Sequence, residues 1–255
     1  MKILNYINNE LGTFMKRCRQ FRNKVFKSIE KEYKISYAQS GEDIIVEFIF
    51  ANILNQTKFT YCDVGAHHST YISNTALFYK KGMTGICIEP DPNLFDEIKR
   101  NRPKDICLNC GIGFSEDKNL EEDLDFFIMS SKSLNTFSRS EAERLDKQGE
   151  YKIIEIKKIK TFNINKIFEK YFIPDFVSID VEGIDFEIIK SIDLLNNRPK
   201  VICVETAEFS PVPPGIKVFD SINYLKENGY VFYADTYNNS IFLDNYYLQM
   251  IHNKG

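Results

Sequence analysis

The sequence predicts an α/β protein built on a mostly parallel sheet with an antiparallel edge, and two observations carry that prediction. From residue 58 onward, short apolar runs of strand length alternate with helical stretches, and each run is nearly continuous in Phe, Tyr, Ile, Val and Cys. Strands of that kind are buried on both faces, so helices must cover both sides of the sheet. The second observation is that four of these runs end in a carboxylate: Asp63, Glu89, Asp180 and Glu205. A solvated face would scatter its charges along the strands. Acids gathered at strand ends lie where open parallel sheets bind ligands.

Each element follows from a local signal. Leu4, Ile7, Leu11, Phe14, Cys18, Phe21 and Val25 recur at spacings of three and four, which predicts a helical arm over residues 1–35. That arm holds nine Lys/Arg against three Glu, so the rest of the chain, with 24 basic and 33 acidic residues, is clearly acidic. The arm reads as a packing or dimerising segment, predicting a homo-oligomer; lying along the acidic body or on an anionic membrane surface are the other readings. A helix over 44–54 follows, with Ser40 as a candidate N-cap and Asp43 three residues on. Strands are expected at 59–64, 85–89, 106–110, 176–181 and 201–205. Between them fall a helical or irregular stretch at 69–80 and helices near 93–100, 185–195 and 217–228. Runs at 230–235 and 240–243, joined by a turn holding Asn238 and Asn239, predict the antiparallel pair. Between about 112 and 160 periodicity weakens, which reads as an insertion over the carboxyl edge of the sheet.

Composition excludes several classes. The acidic body excludes nucleic acid as its partner. No run is long and apolar enough for a transmembrane segment, and the first residues lack the apolar core of a signal peptide, so a cytoplasmic protein is expected. Cys62, Cys87, Cys107 and Cys203 sit inside apolar runs and read as small core residues. Cys107 and Cys110 form a C-x-x-C, but no second pair stands at zinc spacing.

The chemistry concentrates in the first two strand ends. Gly65 directly after the first strand lets the backbone approach a cofactor, and an acid at the end of the next strand, Glu89, can accept hydrogen bonds from ribose hydroxyls. A dinucleotide site also needs a G-x-G-x-x-G turn facing the pyrophosphate. Here the turn is Gly65-Ala66-His67-His68-Ser69-Thr70, with one glycine and two imidazoles. That disfavours a pyrophosphate and favours S-adenosylmethionine, a ribose-bearing cofactor without phosphate.

The segments Ala38-Gln39-Ser40-Gly41-Glu42-Asp43, Asp63-Val64-Gly65-Ala66-His67-His68, Ser73-Asn74-Thr75, Gly85-Ile86-Cys87-Ile88-Glu89-Pro90 and Ser178-Ile179-Asp180-Val181-Glu182-Gly183 together resemble the FkbM family of S-adenosylmethionine-dependent methyltransferases. The resemblance runs from about residue 36 to 245. It implies a seven-stranded Rossmann-like methyltransferase sheet in one domain, 36–255. It also implies methyl transfer to a hydroxyl, often of a sugar, as in bacterial capsule or surface-glycan enzymes acting on nucleotide-linked sugars such as a GDP-heptose. Carried over by position, Asp63 and Gly65 would line the methionine end of the cofactor and Glu89 would hold its ribose. Asp91 and the turn containing Cys110 would flank the adenine, while Gln39, Gly41, Asp43 and Asn74 would complete the enclosure.

Methyl transfer is an in-line displacement that needs the acceptor proton removed. His67, His68, Asp180, Glu182 and Glu205 are the candidate bases. Asp180 and Glu205 could also take a divalent metal through oxygen, but no third ligand is evident and a metal is not favoured. A nicotinamide-dependent sugar oxidoreductase and a non-catalytic scaffold acting through the N-terminal arm are the alternatives.

Overall fold

The computed structural model describes residues 15–21, 33–113, 121–210 and 215–252. The chain divides into two units, Met1–Ile35 and Ser36–Gly255. In the first, residues 15–21 are helical (α1), and Met15 and Phe21 stand exposed. The rest of the expected heptad stripe, Leu4 to Phe14 and Val25, lies outside the described residues.

The second unit opens with α2 (Glu42–Phe48), which runs into a π-helical turn, Ile49–Ile53. Its N-cap is Gly41, at φ 92°, and no side chain caps it. Ser40 is therefore not the cap; its N–H instead donates to Glu42 Oε2 (2.8 Å). There follow β1 (Tyr61–Val64), α3 (Ala76–Lys80), β2 (Gly85–Ile88), α4 (Pro92–Asn101), β3 (Ile106–Leu108) and β4 (Gly111–Gly113). Next are β5 (Glu122–Met129), α5 (Arg139–Gln148), β6 (Ile153–Asn163), α6 (Ile164–Lys170), β7 (Phe176–Ile179), α7 (Asp185–Ser191) and β8 (Val201–Glu205). The short β9 (Ala207–Glu208) and β10 (Ile216–Lys217) pair with each other, and α8 (Asp220–Glu227), β11 (Tyr230–Asp235), β12 (Asn239–Asp244) and α9 (Asn245–His252) complete the unit.

Seven strands form one sheet in the order β11-β12-β8-β7-β1-β2-β3. All pairs from β8 to β3 are parallel. The expected hairpin builds the other edge: β12 runs antiparallel between β8 and β11. The chain winds outward from β1 through β2 to β3, then restarts at β7 on the other side of β1. The β1–β7 boundary is thus the point where connections diverge and a crevice opens at the strand ends.

Both faces of the sheet are buried, as the continuous apolar runs require. Cys62, Val64, Val177 and Ile179 face a core completed by Phe168 of α6, Ile188 of α7 and Leu225 of α8. Their neighbours Tyr61, Phe176, Val201 and Cys203 face the opposite core, with Val46 of α2, Phe78 of α3 and Ile98 of α4. The alternation is the two-residue period of a strand serving two cores at once. Of the cysteines in the apolar runs, Cys62, Cys87 and Cys203 are buried and Cys107 is half-buried.

Within the stretch read as an insertion over the sheet edge, the described residues form a ribbon. Strands β5 and β6 pair antiparallel from Glu122↔Thr161 to Met129↔Ile153, β4 joins β6 in parallel, and α5 packs on them. The Ile/Lys alternation at 152–159 is the mark of a half-exposed strand, and surface lysines diluted its apolar signal. Among the described residues, no helix is long and apolar enough to cross a membrane.

One buried polar network ties β1, β2 and α4 together. Arg102 is 1% exposed; its Nε donates to Asp105 Oδ2 (2.8 Å) and its Nη2 to Tyr61 Oη (3.0 Å) and Thr75 Oγ1 (2.9 Å). Asp105 also accepts from Tyr61 Oη and from the Gly85 N–H (2.9 Å each). Removing one partner of a buried ion pair leaves an uncompensated charge, which costs about 3–5 kcal/mol. Asp105→Ala should lower unfolding free energy by about that amount in urea denaturation; a loss of under about 1 kcal/mol, the range of a surface pair, would contradict the network's role.

Candidate active site: a carboxylate-lined cleft at the strand ends

The site begins with a backbone constraint at the switch point. Gly65 has φ +82°, and a Cβ there would lie 1.9 Å from the carbonyl oxygen of Asp180. No other residue fits. The Gly65 and Ala66 N–H groups both donate to the Ile88 carbonyl (3.0 and 3.1 Å), curling the chain over the end of β2. His67 follows in the left-handed region (φ 53°), which aims its N–H at Glu89 Oε2 (2.8 Å). The Asp91 N–H takes the other oxygen, Glu89 Oε1 (2.8 Å). Glu89 is thereby clamped between two backbone donors with its carboxylate at the cleft wall. Burial pushes its pKa up to about 7, the two N–H bonds pulling the other way.

The second group of acids stands across the crevice. Asp180 and Glu205 each follow the in-register row Val64, Ile179 and Val204, and Asn239 pairs with Glu205 on β12. Between β7 and α7 the chain turns through Glu182 (φ 57°) and Gly183 (φ +101°). Asp185 fastens that turn by accepting from the Val181 and Gly183 N–H groups (3.0 and 3.1 Å), and Thr136 Oγ1 donates to the Glu182 carbonyl (2.6 Å). A non-glycine residue held at positive φ from two sides is a placed residue. Glu182 joins Asp180 and Glu205, with carboxylate oxygens within 4.8 Å of one another. That is close enough for the three to share one small cation, and Glu182, read from the sequence as a candidate base, is the third ligand that was not evident there.

Burial and mutual repulsion raise the pKa values of the whole group. Asp180 is pushed to about 7 by burial and then by Asp185 and Asp63; Asp185 is pushed to about 6, chiefly by burial. Glu182 and Glu205 lie well above the usual range, from burial first and neighbouring carboxylates second. His67 is held below the ordinary imidazole value by burial, by His68 and by Lys132, which favours its neutral form.

A cleft of about 320 Å³ brings together Gln39, Gly65, His67, Glu89, Asp180 and Glu205 from the expected set. The others do not line it. Gly41 starts α2; Asp43 accepts from Ser36 Oγ (2.6 Å) and the Tyr37 N–H (2.7 Å), fastening the strap before α2. Asp63 accepts from Thr75 Oγ1 (2.5 Å), and Asn74 Nδ2 donates to Ser178 Oγ (3.0 Å). Asp91 caps α4 by accepting from the Asn93 N–H (2.8 Å). His68 Nδ1 accepts from the Thr70 and Tyr71 N–H groups, with Nε2 3.5 Å from Glu97. Cys110 lines a different cavity, between β3 and α6, and burial raises its thiol to about 12.

Sequence reasoning passed over three contributors. Glu42 is fully buried, accepts from Thr236 Oγ1 (2.6 Å) and Asn239 Nδ2 (3.2 Å), and adds its charge to the field on Asp180. Its position between Gly41 and Asp43 was the available signal. Lys132 and Asn135 reach the cleft from the turn after β5, and Asn135 Nδ2 donates to Asp91 Oδ2 (3.2 Å). Nothing local in the sequence pointed to them.

A doubly wound sheet with one glycine after β1, a clamped acid closing β2 and a crevice of carboxylates at the switch point defines a class: α/β enzymes that hold a small cofactor at the strand ends. The chain belongs to the FkbM methyltransferase family, since the methyltransferase FkbM domain matches residues 63–232. Solved structures similar to it include a TehB-like SAM-dependent methyltransferase from Corynebacterium glutamicum (9% identity, 88% of this chain and 97% of that one, TM-score 0.40). Another is the 1,6-didemethyltoxoflavin-N1-methyltransferase of Burkholderia thailandensis with bound 1,6-didemethyltoxoflavin and S-adenosylhomocysteine (7% identity, 90% and 89%, TM-score 0.40). A third is monomeric WbdD (12% identity, 86% of this chain and 44% of that one, TM-score 0.41). No curated protein sequence matches the chain.

The repulsion has a measurable sign. Glu89, Asp180 and Asp185 bind protons more tightly folded than unfolded, so the stability they lend is present below about pH 4 and is lost as pH rises through 6 to 7. Glu182→Gln or Glu205→Gln should therefore raise the melting midpoint of the ligand-free protein at pH 8 by about 2–4 °C, the shift that about 1 kcal/mol gives in a domain of this size. Calorimetry at pH 5 should show a smaller rise. An equal rise at both pH values would remove repulsion as the cause.

Proposed function

We propose that the protein is an S-adenosylmethionine-dependent O-methyltransferase acting on a sugar hydroxyl in cytoplasmic glycan assembly, with residues 1–35 as a self-association arm. The observation that carries this reading is Glu89, clamped by the His67 and Asp91 N–H groups beside a single-glycine turn and facing three close carboxylates. The family resemblance adds a capsule or surface-polysaccharide setting and a nucleotide-linked acceptor such as a GDP-heptose.

S-adenosylmethionine supplies an electrophilic methyl on a cationic sulfur. The residues of the chain do the rest. Glu89, ionised, keeps lone pairs for the two ribose hydroxyls after its backbone bonds are made. Gly65 leaves room for the cofactor to lie against the backbone. Glu182 and Glu205 present negative charge toward a sulfonium, and Asp180 stands beside them where an acceptor proton must be removed. A carboxylate with a pKa of about 7 suits proton removal near neutrality better than an ordinary one. His67, kept neutral, offers a second acceptor in the same cleft.

Glu89→Gln should weaken S-adenosylmethionine binding about tenfold or more in calorimetry, as loss of a charge-assisted pair does. Asp180→Asn should keep cofactor affinity within about threefold and lower turnover about 100-fold or more, the scale of a lost general base. Mass spectrometry of sugars incubated with enzyme and labelled cofactor reads the reaction. Absence of any S-adenosylmethionine or S-adenosylhomocysteine binding by the wild-type protein would overturn the proposal.

A further inference from the structure

A second cavity, of about 380 Å³, adjoins the cofactor cleft, and the two share Glu182, Glu205, Ala207, Glu208 and Phe209. A molecule in the second cavity therefore meets the central carboxylates from the side away from Gly65 and Glu89. Resting on the methyltransferase reading above, we propose that this cavity seats the methyl acceptor, and that the sugar it takes carries an ammonium group and no phosphate.

The lining selects that chemistry. Phe186 and Phe209 line it with aromatic surface of the kind that packs on the apolar side of a pyranose, and Ser138, Ser140 and Ser221 add hydroxyl-bearing side chains. The charge is one-sided: beyond the shared Glu182, Glu205 and Glu208, the wall adds Glu141, Asp185, Glu187 and Asp220. Among the described lining residues Arg144 is the one cation, and it is paired with Glu141. Its Nε and Nη2 donate to Glu141, and Nη2 donates to the Phe209 carbonyl (2.8 Å). Lys217, adjacent in sequence to the lining Val218, is committed to Thr206 Oγ1 (2.6 Å), Asp235 Oδ1 (2.7 Å) and the Tyr237 carbonyl (2.6 Å). Lys132 lines the cofactor cleft and not this cavity.

A phosphate entering here would meet seven acidic side chains against one guanidinium already paired with Glu141. A neutral polyol would find hydroxyl partners but would close a set of like charges away from water. An ammonium beside the accepting hydroxyl answers both conditions, supplying the opposite charge and N–H donors to Glu182, Glu205 or Glu208. The nucleotide-linked form implied by the family resemblance does not match this wall.

The test uses the full-length protein with S-adenosylmethionine and four probes: glucosamine, N-acetylglucosamine, methyl glucoside and GDP-mannose, each with and without Mg²⁺. Cofactor binding is measured by calorimetry on the same sample, and methylated product is read by mass spectrometry. Glucosamine should be turned over with kcat/KM at least about tenfold above the two neutral sugars, the scale of one charge-assisted contact, and GDP-mannose should give no product. Glu208→Gln and Asp220→Asn should each reduce that amino-over-neutral ratio. Equal turnover of charged and neutral sugars, or methylation of GDP-mannose with or without Mg²⁺, would overturn the proposal while leaving the methyltransferase reading intact. If the cofactor binds, no probe is methylated and calorimetry shows no glucosamine binding, the proposal also falls. Failure of S-adenosylmethionine itself to bind would instead overturn the reading on which it rests.

Discussion

The close approach of Gly65 to the carbonyl of Asp180 is the constraint on which the site depends. It lets β1 and β7 end side by side with their following turns in contact, a geometry that any Cβ at position 65 would forbid. From that contact the chain must curl over β2, because the Gly65 and Ala66 N–H groups find their acceptor at Ile88. The curl delivers the His67 N–H to Glu89, so one missing side chain fixes the position of an acid on a neighbouring strand. The divergence of the connections on either side of β1 supplies the crevice. The glycine makes it deep enough to use.

Two buried groups of charge on the same sheet show how pairing separates stability from function. The side chains of Arg102 and Asp105 lie almost wholly inside, bonded to each other and to Tyr61, Thr75 and the Gly85 N–H. That network holds β1, β2 and α4 together and leaves one buried nitrogen, Arg102 Nη1, without a partner among the described residues. Asp180, Glu182 and Glu205 are the opposite case: three like charges drawn close, with no cation among the described residues set between them. Such a group destabilises the empty protein at neutral pH and is relieved by a cation or a proton. A fold that tolerates it must gain its stability elsewhere, and the two apolar cores on either face of the sheet are where it does so.

The sheet was legible because its strands are buried twice over: Tyr61 to Val64 and Phe176 to Ile179 carry almost no polar residue except those at the functional end. The ribbon of β5 and β6 was not, because a half-exposed strand such as Ile153–Asn163 spends alternate positions on lysine and glutamate. The same division runs through the site. Strand-end acids announce themselves against apolar runs, so Glu89, Asp180 and Glu205 could be read directly. Which of the neighbouring polar residues face the cleft could not, because Asp63, Asp91 and Asn74 occupy equivalent motif positions yet bond to Thr75, Asn93 and Ser178.

Glu182 shows what a motif cannot encode. In the sequence it is one acid two residues after another, and its side chain could as easily have faced solvent. Its direction is set by Asp185 closing the turn from one side and by Thr136, 46 residues earlier on the ribbon, closing it from the other. The ribbon that sequence patterning obscured is thus the part that places Glu182 beside Asp180 and Glu205, and that brings Lys132 and Asn135 to the cleft. A methyltransferase sheet supplies the cofactor side of such a site. The carboxylate wall common to both cavities includes Glu182, whose turn is held jointly by the Asp185 carboxylate and by the Thr136 hydroxyl, 2.6 Å from the Glu182 carbonyl.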